Sequence, residues 1–207
     1  MGRPEANWAR IDAINQLGNG LTAADRNEDA LSVQEAELSL RRRLGDSERN
    51  ILAVQGNISN AYQQLGRLED ALRVRKDVYS GNLRLRGGED GITVCAAGNY
   101  AKALFDLEHY AEAIALLRKA LPVARRVLGE TDQGTLMMRW FYAVSLYRDA
   151  GATLDDLPEA VNMLEDIERT ARRVLGSAHP TARGIWASLE LARATLRARE
   201  TPSPGHA

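Results

Sequence analysis

A pattern that returns about every 42 residues limits what this chain can fold into more than any other feature. The segment RRRLGDSERN at 41–50 comes back as RRVLGETDQG at 125–134 and as RRVLGSAHPT at 172–181. Anchored on Leu44-Gly45, the spacing runs 42 residues to Arg86-Gly87, 42 to Leu128-Gly129 and 47 to Leu175-Gly176. A second marker, acid–alanine–aliphatic, falls at Asp29-Ala30-Leu31, Asp70-Ala71-Leu72, Glu112-Ala113-Ile114 and Glu159-Ala160-Val161, with steps of 41, 42 and 47. Two independent markers keeping one rhythm mean internal repetition, in which each unit buries its apolar face only against its neighbours.

Each unit reads as two helices. Apolar residues at 51, 54, 58, 61, 62 and 65 recur at steps of three and four, the helical period. Gly66 ends that helix, and Leu68, Ala71, Leu72, Val78 and Tyr79 point a second one at a core. The RRxLG element then closes the second helix. Its glycine supplies a left-handed turn, and its arginines face the negative end of the helix dipole, each worth roughly 0.3–1 kcal/mol. Asp90, Asp132, Glu48 and His179 hold the next N-cap position, with Pro180 after His179. The spacing predicts nine helices, at about 5–17, 22–43, 48–65, 68–85, 90–107, 110–127, 133–149, 157–174 and 180–199. NGLTAADRN is expected to widen the first turn, and AGATLDD (150–156) to take up the extra residues of the fourth pair. Pro122 should bend the sixth helix near Arg118. The ninth helix has no mate and should cap the stack. The fold class is thus all-α, an α-solenoid of antiparallel helix pairs with about four repeats and a C-terminal cap. It is expected to form one domain over 1–200, with a disordered tail, TPSPGHA, at 201–207.

This pattern resembles the tetratricopeptide repeat family, in the 42-residue form of kinesin light chains. The resemblance is good over 48–200 and looser over 5–47. The family's small or aromatic series, helix-ending Gly and second-helix Ala fall on Ser59, Tyr62, Gly66 and Ala71, and on Val144, Tyr147, Gly151 and Ala160. Between them the series is Ala101, Leu104, Glu108 and Ala113, without the Gly. The light-chain Asp-His-Pro survives only as His179-Pro180. The resemblance implies a right-handed α-solenoid, a superhelix whose inner wall, made by the first helix of each pair, holds a peptide, with asparagines bonding its backbone. On that register Asn57 and Asn99 match the asparagine and Tyr142 takes its place in the next unit. Asn60, Gln64, Lys102, Asp106, Ser145, Arg148 and Asp149 also face inward, and Trp140 packs between helices while Phe141 or Tyr142 faces the groove. Bridging of neighbouring helices is the alternative role for Asn57 and Asn99, since Asn in a helix interior needs a reason to be there.

Other features carry less. Arg42, Arg84, Arg126 and Arg173 would line one edge, as an anionic-partner ridge or, as favoured here, as dipole caps paired with Glu48, Asp90 and Asp132. Cys95 has no His or cation beside it in the sequence and reads as a buried or groove-lining residue rather than a nucleophile. His109, His179 and His206 lack metal spacing, GNG at 18–20 lacks the further Gly of a nucleotide loop, and no GxSxG occurs. Glu28-Asp29 and Asp155-Asp156 suit helix N-termini better than acid–base catalysis. A net charge of −1 offers no field for nucleic acid, no apolar run approaches membrane-spanning length, and residues 1–20 lack a secretory apolar core. Residue 6 is Ala6, not the Ser or Thr a myristoylation motif needs. One cysteine suits a reducing, cytoplasmic setting. The expectation is a non-catalytic protein- or peptide-binding scaffold without metal or cofactor. The alternative is a self-assembling repeat protein stacking through its terminal helices as a homo-oligomer, and RNA binding is a third, weaker option.

Overall fold

A computed structural model describes residues 4–153 and 155–200; the TPSPGHA tail lies outside the described residues. Among the described residues there are nine helices and no strand: α1 (Pro4–Ala23), α2 (Asn27–Arg43), α3 (Glu48–Gln64), α4 (Leu68–Arg86), α5 (Gly91–Asp106), α6 (Tyr110–Val127), α7 (Gln133–Arg148), α8 (Asp156–Leu175) and α9 (Pro180–Glu200). Helices consecutive in each unit pack together, as the repeat requires. The described helices cluster into two compact units, Met1–Gly87 and Gly88–Ala207.

The repeat is written in its turns. Between pairs the chain turns on Gly45, Gly87, Gly129 and Gly176, all with positive φ between 67° and 104°. A side chain bearing Cβ resists that conformation, so the recurring Leu-Gly or Arg-Gly is a steric requirement. Within pairs a second left-handed residue recurs at Asp25, Gly66 and Glu108, with φ of 59°, 71° and 60°. Each is followed by a backbone N–H that reaches back over the helix end: Arg26 to Leu21 (2.9 Å), Arg67 to Tyr62 (2.9 Å) and His109 to Leu104 (2.8 Å). The acid of the second marker lies three residues beyond that N-cap and pairs with it, Arg26 with Asp29 at 2.6 Å, Arg67 with Asp70 at 2.7 Å and His109 with Glu112 at 3.3 Å. Its alanine follows at once as a contact without room for more, since Ala30, Ala71, Ala113 and Ala160 are 0–1% exposed.

Several boundaries differ from the sequence reading. Helix α1 runs through Gly18–Gly20 to Ala23, so NGLTAADRN does not widen the first turn, which is the same three residues long as the next two. Ser47, not Glu48, caps α3, its hydroxyl accepting from the Asn50 N–H at 3.3 Å. Asp90 and Asp132 cap α5 and α7 as expected; of the ridge arginines Arg84 pairs with Glu48, one of the expected acids, and Arg126 with Glu89 rather than Asp90 or Asp132. At His179 the cap is the imidazole, whose Nδ1 accepts from Thr181 N–H at 3.2 Å. Helix α6 continues through Pro122, which is exposed. In the longer α7–α8 connection Gly151 is not left-handed; there Thr153 and Asp156 bond reciprocally at 2.7 and 3.3 Å to start α8.

Unit 1 holds a buried ionic chain that the apolar pattern does not announce. Glu37 is fully buried and accepts from Arg41 Nε at 2.7 Å and from Asn15 Nδ2 at 3.3 Å. Arg41 continues to Asp46 at 2.6 Å, and Asp46 accepts from Asn50 Nδ2 at 2.8 Å. The network joins α1, α2, the following turn and α3.

In unit 2, α5, α7 and α9 lie side by side, with α6 and α8 packed between successive members. Helix α9 is changed where a stack must end. Arg183, Glu190 and Arg193 follow Leu136, Ala143 and Leu146 by the 47-residue step, and those in turn follow Val94, Ala101 and Leu104 by 42. The six earlier residues are 0–2% exposed. Their replacements are charged, and Arg193 is held by Glu165 (2.7 Å) and Glu190 (3.0 Å).

Candidate functional site

Asp90 and Asp132, the N-caps of α5 and α7, are 42 residues apart, so the position of Asn99 falls on Phe141 in α7, not on Tyr142. The register expected from the sequence is one residue late there. Its consequences are visible in burial. Tyr142 is 4% exposed and turns toward the second helices, where its hydroxyl donates to Glu159 Oε1 at 3.0 Å and accepts from Arg118 Nε at 3.4 Å. Ser145 is fully buried and has no surface to offer a ligand. Trp140 packs between helices as expected: its indole N–H donates to Ser188 of α9 at 2.9 Å, and its ring lies where a side chain on Gly184 would be.

Phe141 opens instead onto a cavity of about 240 Å³ between α5 and α7. Cys95, Gly98, Asn99 and Lys102 line it from α5, and Met137, Met138 and Phe141 from α7. Leu128 and Gly134 complete the lining. The volume suits one large apolar side chain, and thioethers adapt to varied shapes. Phe141 is anchored by Phe105, with ring centroids 5.0 Å apart. Asn99 is exposed at the rim, and its amide makes no hydrogen bond among the described residues, so it does not bridge helices. Lys102 donates to Asp106 at 2.6 Å, which leaves the rim with little net charge. Burial, with Asp132 and Asp90 adding to it, pushes the Cys95 thiol up, away from the thiolate a nucleophile needs. Arg148 is exposed and touches the Tyr110 hydroxyl at 3.4 Å, while Asp149 caps the end of α7.

In unit 1 the same register places Asn57, Asn60 and Gln64 along α3. Asn60 accepts from Arg75 at 3.3 Å, Gln64 is exposed, and Asn57, half-buried, makes no hydrogen bond among the described residues. Sequence reasoning missed the methionines and glycines of the cavity. Methionine at helical spacing reads as core, and only the position of Asp132 puts Met137 opposite Cys95.

Residues 96–133, which span most of α5, the left-handed turn at Glu108 and all of α6, match the family model described as tetratricopeptide repeat. This is a tetratricopeptide-repeat fold. Solved structures agree along the whole chain. A kinesin-light-chain-like protein of Podosopora anserina with nearly identical TPR-like repeats is 19% identical, covers 97% of this chain and 91% of its own, and has a TM-score of 0.73. A point variant of that protein is 18% identical over 92% of this chain and 88% of its own, also with a TM-score of 0.73. BtubC (BKLC) of P. vanneervenii is 16% identical, covering 99% and 87% of the two chains at a TM-score of 0.60. No curated protein sequence matches the chain. The tetratricopeptide repeat expected from the spacing is therefore present at 96–133, the fold along the chain is similar to that of the kinesin-light-chain-like repeat structures, and repeats of this family are in general protein-interaction scaffolds. Among the described residues no helix is long and apolar enough to cross a membrane.

Proposed function

We propose that this chain is a non-catalytic scaffold that binds a protein or peptide segment along the α5–α7 wall of its second unit, one apolar side chain entering the cavity beside Phe141. The observation that carries this reading is the pairing of a preformed apolar cavity with an uncommitted amide, Asn99, at its rim. A cavity that exists before binding costs little ordering. Lys102, Asp106 and Arg148 would set the polar contacts, while Asn57, Asn60 and Gln64 would serve the first unit in the same way. Ser145 and Tyr142 drop out because they are buried. The charged outer face of α9 supports this reading over an end-to-end stack that would carry the repeat's buried apolar packing from one copy into the next. We assign the scaffold to the cytoplasm, where a single thiol stays reduced.

The test is a peptide-display selection against the wild-type chain, with affinities of the selected peptides measured by fluorescence anisotropy. Asn99→Ala should weaken them by about tenfold, the loss of one or two backbone hydrogen bonds. Cys95→Trp, which fills the cavity from an exposed position, should abolish binding with the melting temperature nearly unchanged. Selected peptides that bind Cys95→Trp as tightly as wild type would place the site elsewhere.

A further inference from the structure

We propose that α9 is a two-fold interface at which a second copy of this chain pairs antiparallel across Trp186. The inference is independent of peptide binding and rests on a residue that runs against the rest of its helix. Where α7 has the buried Arg139, ion-paired to Asp166 at 2.5 Å, the 47-residue step gives Trp186 in α9. So the helix that exchanges buried apolar residues for Arg183, Glu190 and Arg193 makes the opposite exchange once. Trp186 is 55% exposed, the largest apolar side chain of the helix left in water. Tryptophan is the residue most enriched among the anchors of protein interfaces. It borders a shallow cavity of about 260 Å³ with Glu168, Arg172, Ser177, Ala182 and Arg183.

The charge pattern around Trp186 selects the occupant. Arg183 and Glu190 are both exposed, stand seven residues apart and so share one face, and lie nearly symmetrically about the Trp186–Ala187 midpoint. Two copies of α9 laid antiparallel about that midpoint bring Arg183 against the second copy's Glu190, and the reverse, while each Trp186 lies on the other copy's Ala187. Within the chain, the Arg183 side chain has no hydrogen bond or ion pair among the described residues, Glu190 is paired only along its own helix, through one oxygen to Arg193 at 3.0 Å, and Ala187 is small and exposed. A two-fold contact needs a surface complementary to itself, and this helix face is one. The alternative register, which sets Glu190 against Arg197, would put the two copies of Arg193 together and is disfavoured by like charge. Because a single helix pair buries less than the roughly 1,200 Å² of a stable complex, the dimer is weak and concentration-dependent.

Sedimentation equilibrium of the full chain over a concentration series, at low salt, tests this. Wild type should show a reversible monomer–dimer equilibrium. Arg183→Glu and Glu190→Arg should each weaken it by at least roughly tenfold, since symmetry doubles every charge reversal. The double variant Arg183→Glu/Glu190→Arg should restore it, because the ion pairs re-form with their signs exchanged. Circular dichroism should show all four proteins equally helical, as both side chains are exposed. A wild type that stays monomeric throughout, single reversals that leave the dimer unchanged, or a double variant that stays monomeric would each overturn the assignment. The peptide-binding assay plays no part in any of these outcomes.

Discussion

Replacing Glu108 by glycine should make the protein more stable, although it deletes a side chain and adds no contact. Glu108 holds φ of 60° at the α5–α6 turn, where Gly66 stands in the preceding pair. An L-residue in that region is strained by about 1–2 kcal/mol. Glycine removes the strain but gives back about 0.4–1 kcal/mol through the greater freedom of the unfolded chain. The Glu108 side chain is exposed and makes no hydrogen bond among the described residues, so nothing else is lost. Glu108→Gly should therefore gain about 0.5–1 kcal/mol, measured as a shift of the urea midpoint at constant slope. The repeat supplies two controls. Gly66→Ala should lose about 1 kcal/mol, because the same strain is introduced where it is now absent. Asp25→Gly should gain less than Glu108→Gly, because the Asp25 carboxylate accepts from Asn27 Nδ2 at 2.7 Å and that bond disappears. If Glu108→Gly were neutral or destabilising while Gly66→Ala was costly, the three turns would not be energetically equivalent and the strain argument would fail.

Acid should loosen the first unit through Asp46. Burial pushes this carboxyl up, but hydrogen bonds from Arg41, from Asn50 and from the Ser47 backbone outweigh it and hold it below the usual carboxylate range. A lowered folded-state value gives stability that is complete above the unfolded value and is lost as pH falls through the folded one. Asp46→Asn should flatten the acid limb of a stability-versus-pH curve, and an unchanged limb would assign acid sensitivity to other groups. At Gly81 a Cβ would lie 2.7 and 2.9 Å from the two methyls of Leu52, so Gly81→Ala should cost about 1–3 kcal/mol in chemical denaturation; a neutral result would mean that Leu52 repacks freely. Cys95 should react with iodoacetamide near pH 8 more slowly than a free cysteine, because burial and two aspartates raise its thiol; faster alkylation would refute that reading.

How much of this is legible in the sequence varies with the physics behind each feature. The between-pair glycines are readable because only glycine meets that steric demand cheaply, and they fall where the spacing puts them. The within-pair turns are harder, since Asp25 and Glu108 accept the same backbone shape at an energetic cost and look like ordinary surface residues. The register slip at Tyr142 comes from anchoring the fourth unit on Gly151, which lies in a connection with different geometry; Asp132, a true cap, gives Phe141. GNG reads as a break because glycine is a poor helix former, yet α1 runs through it, with Gly18 close against Gln34 of α2. Least visible are the buried ions. Glu37 and Arg41 sit in a helix rich in charge, where nothing local distinguishes a charge that is solvated from one that is enclosed, while Arg139 stands in the mostly apolar α7 with its partner Asp166 on another helix.

The seating of Trp140 against Gly184 gives the molecule a built-in optical gauge. The chain has three indoles, and Trp8 and Trp186 are 42% and 55% exposed, while Trp140 is partly enclosed and tied to Ser188. Emission from the two wet chromophores should sit at long wavelength whatever the state of the protein, so any blue component belongs to the third. Its loss would register α9 lifting from α7 before the remaining helices melt, and a Trp8→Phe/Trp186→Phe protein would display that event against a dark background.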